Sequence, residues 1–318
     1  MALNFDQLTA TTYKLYRKTL ADNIMKKIAL YDFLKKKGNV ERKKGGLKIV
    51  EPLMYGLNNT FKSYSAYDVL DTTPQDGLTA AEYDWKDLAV SVTISKQEED
   101  QNSGETQIIN LLKSKITQAE KTYTLKFNEM LHGDGTGNAG KDLNGLKNLI
   151  TADGTGTVGT IVAGTYTWWK NSFDTATTFD VDGLEKMRHV FNLATREGDQ
   201  PKIIVTNQEG FENYEGLMTS LERFNFSSPG QLHGDLGFAT LTFHGQPMVW
   251  DFYAEDNKFR FLNTDYLKLV VDSGTDFEMT EFRVPVNQMA KTAFILFRGQ
   301  LIVNNRLLQG CLNVTAYT

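Results

Sequence analysis

The chain has few of the residues that ordinarily carry chemistry. One cysteine, Cys311, stands in 318 residues. That excludes an internal disulfide and a cysteine-based zinc site, and it fits a reducing cytoplasm. The four histidines, His132, His189, His233 and His244, are scattered, with no HExxH spacing. There is no GxSxG nucleophile elbow. Long apolar runs are missing too: the densest near the C-terminus, Ala293 to Phe297, is far too short to cross a membrane. The opening residues, MALNFDQLTATTYKLYRK, contain no apolar core of signal-peptide length. Positive charge is not in excess. A net charge of -5 speaks against a dedicated nucleic-acid binder, which is usually basic. Six prolines beside 26 glycines favour tight turns over stiff linkers, and no repeat of solenoid period is present. The expectation is a protein with no catalytic centre, cofactor or metal.

What the chain does have is an ordinary folded composition, 41% hydrophobic and 23% charged, in a length sufficient for two domains. Its dominant stretch is Asn102 to Asn138. Ile108, Leu112, Ile116, Ala119, Tyr123, Phe127 and Met130 fall on one helical face, and Asn110, Ser114, Thr117, Lys121, Thr124 and Asn128 fall opposite. Leu111 and Leu125 interrupt the polar face and imply a second, smaller contact. Asn102 and Glu105 read as a capping box, and His132-Gly133 marks the stop. About 29 residues at 1.5 Å each give a rod of roughly 43 Å. A compact globule of this length has a diameter of roughly 50 Å. Such a rod suits an elongated or plate-like subunit.

Residues 9–37 carry Tyr13, Tyr16, Leu20, Ile24, Ile28, Tyr31 and Leu34 at helical steps. The run KKKGNVERKKGG at 35–46 follows. It reads first as a solvated turn whose basic end suits the helix dipole, with contact to nucleic acid or an acidic partner as the competing reading. Leu47, Ile49, Leu53 and Tyr55 alternate as a strand, made an edge strand by Pro52. Leu88, Val90, Val92 and Ile94 alternate as the returning strand. Between them lie Phe61, Lys62, Tyr64, Tyr67, Tyr83 and Trp85 in a connection too long for an ordinary hairpin. A two-stranded arm with an aromatic tip is not stable alone, and a neighbouring subunit is its natural support. Packing of these aromatics onto their own domain is the alternative. Glu98-Glu99-Asp100 reads as solvated charge before the long helix.

After the helix, residues 143–150 read as a short amphipathic element and 151–167 as a Gly/Thr-rich loop anchored by Trp168 and Trp169. Residues 181–197 form a helix with Leu184, Met187, Phe191 and Ala194 inward. Ile203 to Val205 is a buried strand, and Asn207 caps a further helix. Strands follow at 238–243, 247–252, 258–262, 266–271, 294–303 and 307–317. This order gives an α+β class. The nearest approach to a catalytic motif is Gly135 to Asp142. It fits GxxxxGK, then places Asp142 where Ser or Thr should hold magnesium, and it follows a helix instead of a strand.

The segments GGLKIVEPLMYGLNN, DWKDLAVSVTISKQEEDQNSG, the long helix with its DGTGN…LNGLKNLI exit, PKIIVTNQEGFENY, FLNTDYLKLVV and FRGQLIVNNRLLQGCLNVT come in an order that resembles the major capsid protein of tailed bacteriophages, with the Hong Kong 97-type fold. The resemblance covers about residues 40–318 and rests on order and spacing. It implies an N-terminal arm (1–43), an extended loop (44–96), a peripheral domain (97–148 and 285–318) and an axial domain (149–284). It implies hexameric and pentameric capsomers of self-assembled copies in an icosahedral virion shell around double-stranded DNA, contacted non-specifically, formed in the host cytoplasm. Scaffolding protein, portal and a cement or decoration protein are the implied partners, with no membrane. The extended loop, with Tyr55, Phe61, Lys62, Tyr64, Tyr67 and Trp85, and the arm, with Tyr13, Tyr16 and Leu20, are the implied inter-subunit contacts. No cleaved scaffolding segment and no Lys–Asn crosslink are expected. The rival readings are an encapsulin-like nanocompartment shell enclosing cargo enzymes, an enzyme using the 133–142 loop for phosphate, and a tail component.

Overall fold

The computed structural model describes residues 28–101, 105–220, 241–286 and 288–317. The expected helix over 9–37 is described only from Ile28, with α1 at Ala29–Lys36. Tyr13, Tyr16, Leu20 and Asn102 lie outside the described residues, as does His233. Strand β1 (Val40–Lys43) follows, then β2 (Lys48–Met54), β3 (Leu78–Asp84) and β4 (Lys86–Ser95).

A short helix α2 (Lys96–Gln101) leads to the long helix α3 (Glu105–His132). The start of α2 is a capping box. Ser95 Oγ accepts from the Glu98 N–H at 3.2 Å, and Glu98 accepts from the Ser95 N–H at 3.0 Å. Lys115 and these hydrogen bonds hold the Glu98 carboxyl down to about 2. Part of the acidic run is therefore a structured helix start. Helix α3 has 28 residues, about 42 Å at 1.5 Å per residue. Ile116, Ala119, Tyr123, Phe127 and Leu131 are buried along its inner face, whereas Leu111 is half-buried and Leu125 exposed.

The face of α3 lies on a five-stranded sheet. Its central strand, β14 (Ala290–Val303), takes β4 along residues 290–299 on one edge. The other edge takes β13 (Glu278–Met279) and then β12 (Leu267–Asp272), with β1 parallel beyond β12. An aromatic cluster fills the interface. Phe127 meets Tyr31, Phe277 and Phe297 edge-on at 6.1, 5.9 and 5.2 Å between centroids, in the range where such pairs attract.

After a two-stranded ribbon of β5 (Thr157–Val158) and β6 (Ile161–Val162), a six-stranded sheet forms the second half, in the order β7 (Ser172–Thr178), β15 (Gly310–Ala316), β11 (Lys258–Leu262), β8 (Ile203–Thr206), β10 (Gln246–Trp250), β9 (Leu241–Phe243). Helices α5 (Leu184–Leu193) and α6 (Gln208–Ser220) cover it, with Met187, Phe191 and Ala194 buried as the periodicity requires. Asn207 caps α6 by accepting from the Gly210 N–H at 3.0 Å. His244 (φ 49°) and Gly245 (φ 79°) turn the β9–β10 hairpin.

The two sheets run across the expected boundaries. Strand β4, expected in the extended loop, belongs to the five-stranded sheet. So do β1, assigned to the arm, and β12 and β13, assigned to the axial half. Strand β15, assigned to the peripheral half, pairs with β7 and β11 in the six-stranded sheet. Buried strands read as continuous apolar runs that do not say which sheet they join.

The exit of α3 turns on Gly145, which precedes helix α4 (Leu146–Leu149). A Cβ on Gly145 would lie 2.3 Å from the Met130 carbonyl oxygen and 2.6 Å from those of Gly133 and Leu131. These are backbone atoms of the last helical turn and cannot move aside cheaply. Gly145→Ala is therefore expected to cost about 2–4 kcal/mol, as overpacking against backbone does, read as a lower denaturation midpoint at unchanged slope.

Candidate functional site: an exposed hairpin loop

The strand that returns to β2 is β3. Lys48 pairs with Asp84, Glu51 with Ala81 and Met54 with Leu78. The expected partner, 88–94, is taken by β14. The hairpin root lies on its own subunit. Ile49, Leu53, Ala81 and Tyr83 are buried on its inner face. The Tyr83 hydroxyl donates to the Val303 carbonyl at 2.6 Å, and the Glu82 N–H donates to Gly159 at 3.0 Å. Tyr83 is thus part of the core; desolvation drives its hydroxyl well above the usual tyrosine range.

Charge fixes the root as well. The buried Glu51 accepts from Lys268 at 2.8 Å and lies 3.5 Å from Lys43. Both lysines also approach Glu41, at 3.7 and 3.5 Å. The hydrogen bond to Glu51 raises the Lys268 pKa against the opposing effect of burial. The outer face of the ribbon is different: Val50, Met54 and Leu78 are exposed on it.

Beyond the ladder, residues 55–77 form a tip without regular structure. The Tyr55 N–H donates to the Gly77 carbonyl at 2.9 Å across its base, and its side-chain hydrogen bonds are short-range: Ser65 N–H to Asp68 at 2.8 Å, Thr73 N–H to Asp71 at 2.9 Å, Lys62 Nζ to the Val69 carbonyl at 2.5 Å. The Thr73 hydroxyl and N–H lower the Asp71 pKa. Phe61 is 94% exposed and Tyr67 99%, with Tyr64, Leu57 and Val69 also open to solvent. Isolated exposed apolar residues are common, but a cluster of this kind is a candidate interaction surface.

Of the residues singled out in the sequence, Phe61, Lys62, Tyr64 and Tyr67 share this tip, exposed together. Tyr55 sits at its base, 40% exposed, stacked on Trp168 at 5.0 Å. Trp85 is not in the tip. Its ring is partly buried against the hydrophobic core, with Arg298 over it at 5.4 Å. For Tyr83 and Trp85, packing on the own domain prevails. Leu57, Met54, Val69 and Leu78 were missed, because without alternation an exposed aliphatic residue in a sequence looks like a buried one.

The remaining candidates resolve into structure. The glycine segment follows α3, and Asn138 and Ala139 are left-handed at φ 47° and 57°. The Gly140 carbonyl accepts from Lys86. This is a chain reversal, unlike a strand–loop–helix phosphate cradle. Beside it, a cleft of about 240 Å³ between β4 and α3 is lined by Lys126, Phe127, Met130, Asn138, Lys141 and Asp142, at the small end for a ligand site. In the basic run, Lys36 pairs with Asp32 at 3.0 Å and Arg42 with Asp276 at 2.6 Å, so acids of the same chain offset part of it. His189 binds Asp174 at 2.8 Å on the surface. Among the described residues no cluster could hold a metal, and no helix is long and apolar enough to cross a membrane.

No family model and no curated protein matches the sequence. Solved structures do match the fold. The capsid asymmetric unit of cyanophage A-1(L) aligns at TM-score 0.62 and 17% identity over 87% of this chain and 90% of that one. The capsid of a native GTA particle aligns at 0.58 and 11%, over 89% and 90%. The holo-SrpI encapsulin complex of Synechococcus elongatus PCC 7942 aligns at 0.53 and 10%, over 88% and 86%. The chain therefore has the Hong Kong 97-type fold of the tailed-phage major capsid proteins, an α+β fold as expected.

Proposed function

We propose that this chain is the major capsid protein of a tailed bacteriophage, assembling as hexamers and pentamers into an icosahedral shell around double-stranded DNA. The observation that carries the reading is the aromatic tip at residues 55–77, exposed on a subunit whose fold is that of shell proteins. In this reading the five-stranded sheet with α3 is the peripheral domain and the six-stranded sheet the axial domain. The β2–β3 hairpin is the extended loop, and residues 1–27 belong to an arm. Tyr55, Phe61, Lys62, Tyr64 and Tyr67, with Tyr13, Tyr16 and Leu20 of the arm, contact neighbouring copies. The role is structural, not catalytic. A scaffolding protein, a portal and a cement protein are its proposed partners, and assembly takes place in the host cytoplasm. Mild acidity supports loose, non-specific contact with packaged DNA.

The second reading, an encapsulin-like shell around cargo enzymes, is favoured by the likeness to the encapsulin complex. Sedimentation of the purified protein, with and without a co-expressed scaffold, and negative-stain microscopy of the fast fraction test both. Closed shells or five- and six-fold rings are expected. A persistent monomer or dimer under both conditions would overturn the shell reading, and the contents of native particles, DNA or a protein cargo, decide between the two shells.

A further inference from the structure

The C-terminal end of α3 meets the exit of β10 at three polar side chains, of which His132 and Asp251 are buried and Asn128 half-buried. His132 is 3% exposed, and neither ring nitrogen has a hydrogen-bond partner. Asp251, 9% exposed, lies opposite, with its Oδ2 3.7 Å from His132 Nε2. The carboxylate is already oriented. Asn128 Nδ2 donates to both of its oxygens at 2.9 Å, and the Tyr253 N–H donates at 2.9 Å. The other charged groups of this junction are paired among themselves. Glu129 binds Lys126 at 2.7 Å, Asp134 and Glu255 lie 3.9 and 3.8 Å from Lys147, and Glu255 also meets Arg260. Asp251 is thus the carboxylate that faces the imidazole, and both ring nitrogens of His132 are among the buried polar atoms of the described residues that lack a hydrogen-bond partner.

We infer that His132 and Asp251 form a proton-operated clamp between the long helix and the six-stranded sheet. With Nε2 unprotonated, 3.7 Å is too long for a hydrogen bond. With Nδ1 carrying the proton of the neutral ring, a second proton on Nε2 makes it a charged donor aimed at the oriented carboxylate, and a shift of under 1 Å closes a charge-assisted bond. Burial alone would push the Asp251 carboxyl up. The hydrogen bond and charge of a protonated His132, then the hydrogen bonds from Asn128 and the Tyr253 N–H, outweigh that and hold it below its usual range. The closed joint holds a proton that the open joint gives up. By linkage the clamp therefore tightens as pH falls through the range where histidine titrates and loosens as pH rises. The clamp lies within one subunit and does not depend on the shell reading; in a shell, it would set the angle between the two halves of every copy.

Hydrogen exchange of the full-length protein between pH 8 and 5, corrected for intrinsic exchange, tests it. Peptides covering 126–134 and 248–256 are expected to gain about 10-fold in protection toward acid, as one charge-assisted bond implies, with no gain in a control peptide over α5. His132→Gln and Asp251→Asn are each expected to flatten the profile. A flat wild-type profile overturns the clamp even if neither variant folds, and so does an acid-side gain that survives His132→Gln. Either result can be obtained on unassembled subunits, so failure of the clamp is distinguishable from failure to form shells.

Discussion

Replacing Phe61, Tyr64 and Tyr67 together by serine is expected to leave the subunit folded and, on the shell reading proposed above, to abolish shell formation. The rings are 94%, 68% and 99% exposed, so their removal takes almost nothing from the isolated chain. At an interface each buried aromatic contributes about 1–2 kcal/mol. Three together therefore lower each loop-to-neighbour association by roughly 10²- to 10⁴-fold. A closed shell repeats that contact at every copy, so the loss compounds. Thermal unfolding of the variant should superimpose on the parent, while sedimentation shows only slow species. Shells in parental yield would remove the loop tip from the assembly interface.

Arg306→Ala is expected to lower stability by about 3–5 kcal/mol, as removal of a buried charged hydrogen-bonding hub does. The side chain is fully buried in the turn between β14 and β15. Its Nε donates to the Leu149 carbonyl at 2.9 Å. One terminal nitrogen donates to Asn171 Oδ1 at 3.0 Å and to the Thr155 carbonyl at 3.2 Å. Desolvation lowers its pKa to about 10, so it remains charged at neutral pH. The variant takes the buried donor from the Leu149 carbonyl and opens a cavity, while Asn171 Oδ1 and the Thr155 carbonyl keep only their bonds from Thr151. Arg306→Lys keeps the charge but loses the planar fork and is expected to recover less than half of the loss. Chemical denaturation of both variants checks the order. Equal stability of parent and alanine variant would mean that water satisfies the turn.

The elements legible in the sequence were those with one strong period. Helix α3 declares itself because Ile116, Ala119, Tyr123 and Phe127 repeat on one face, and these are buried. Strand β4 alternates cleanly, and Asn207 caps α6 as its position before a helix requires. The hairpin was misread for a reason in the residues. Strand β3 is LTAAEYD, with only Ala81 and Tyr83 fully buried, so β4, with four apolar residues in alternation, looked the better partner. Pairing depends on which edge is free, and β14 occupies that of β4. The tip was legible as a long aromatic connection, but the difference between Tyr67, wholly exposed, and Tyr83, wholly buried, is set by tertiary placement. Arg306 and the His132–Asp251 joint leave no sequence signal, since their partners lie more than a hundred residues away.

Strand β14 has a mechanical consequence. Antiparallel hydrogen bonds lie perpendicular to the strands, so a pull along a strand strains all of them at once, whereas a pull across it opens them singly. Residues 290–299 hold β4 through ten paired positions, and 299–303 hold β12. The far end of β14 runs through the Arg306 turn into the six-stranded sheet. Tension between the halves of the subunit therefore travels lengthwise through a strand gripped on both edges, in shear. Such a subunit yields to peeling long before it yields to stretching. A wall built from it would be stiffest against outward pressure and weakest where a subunit is prised up at its rim.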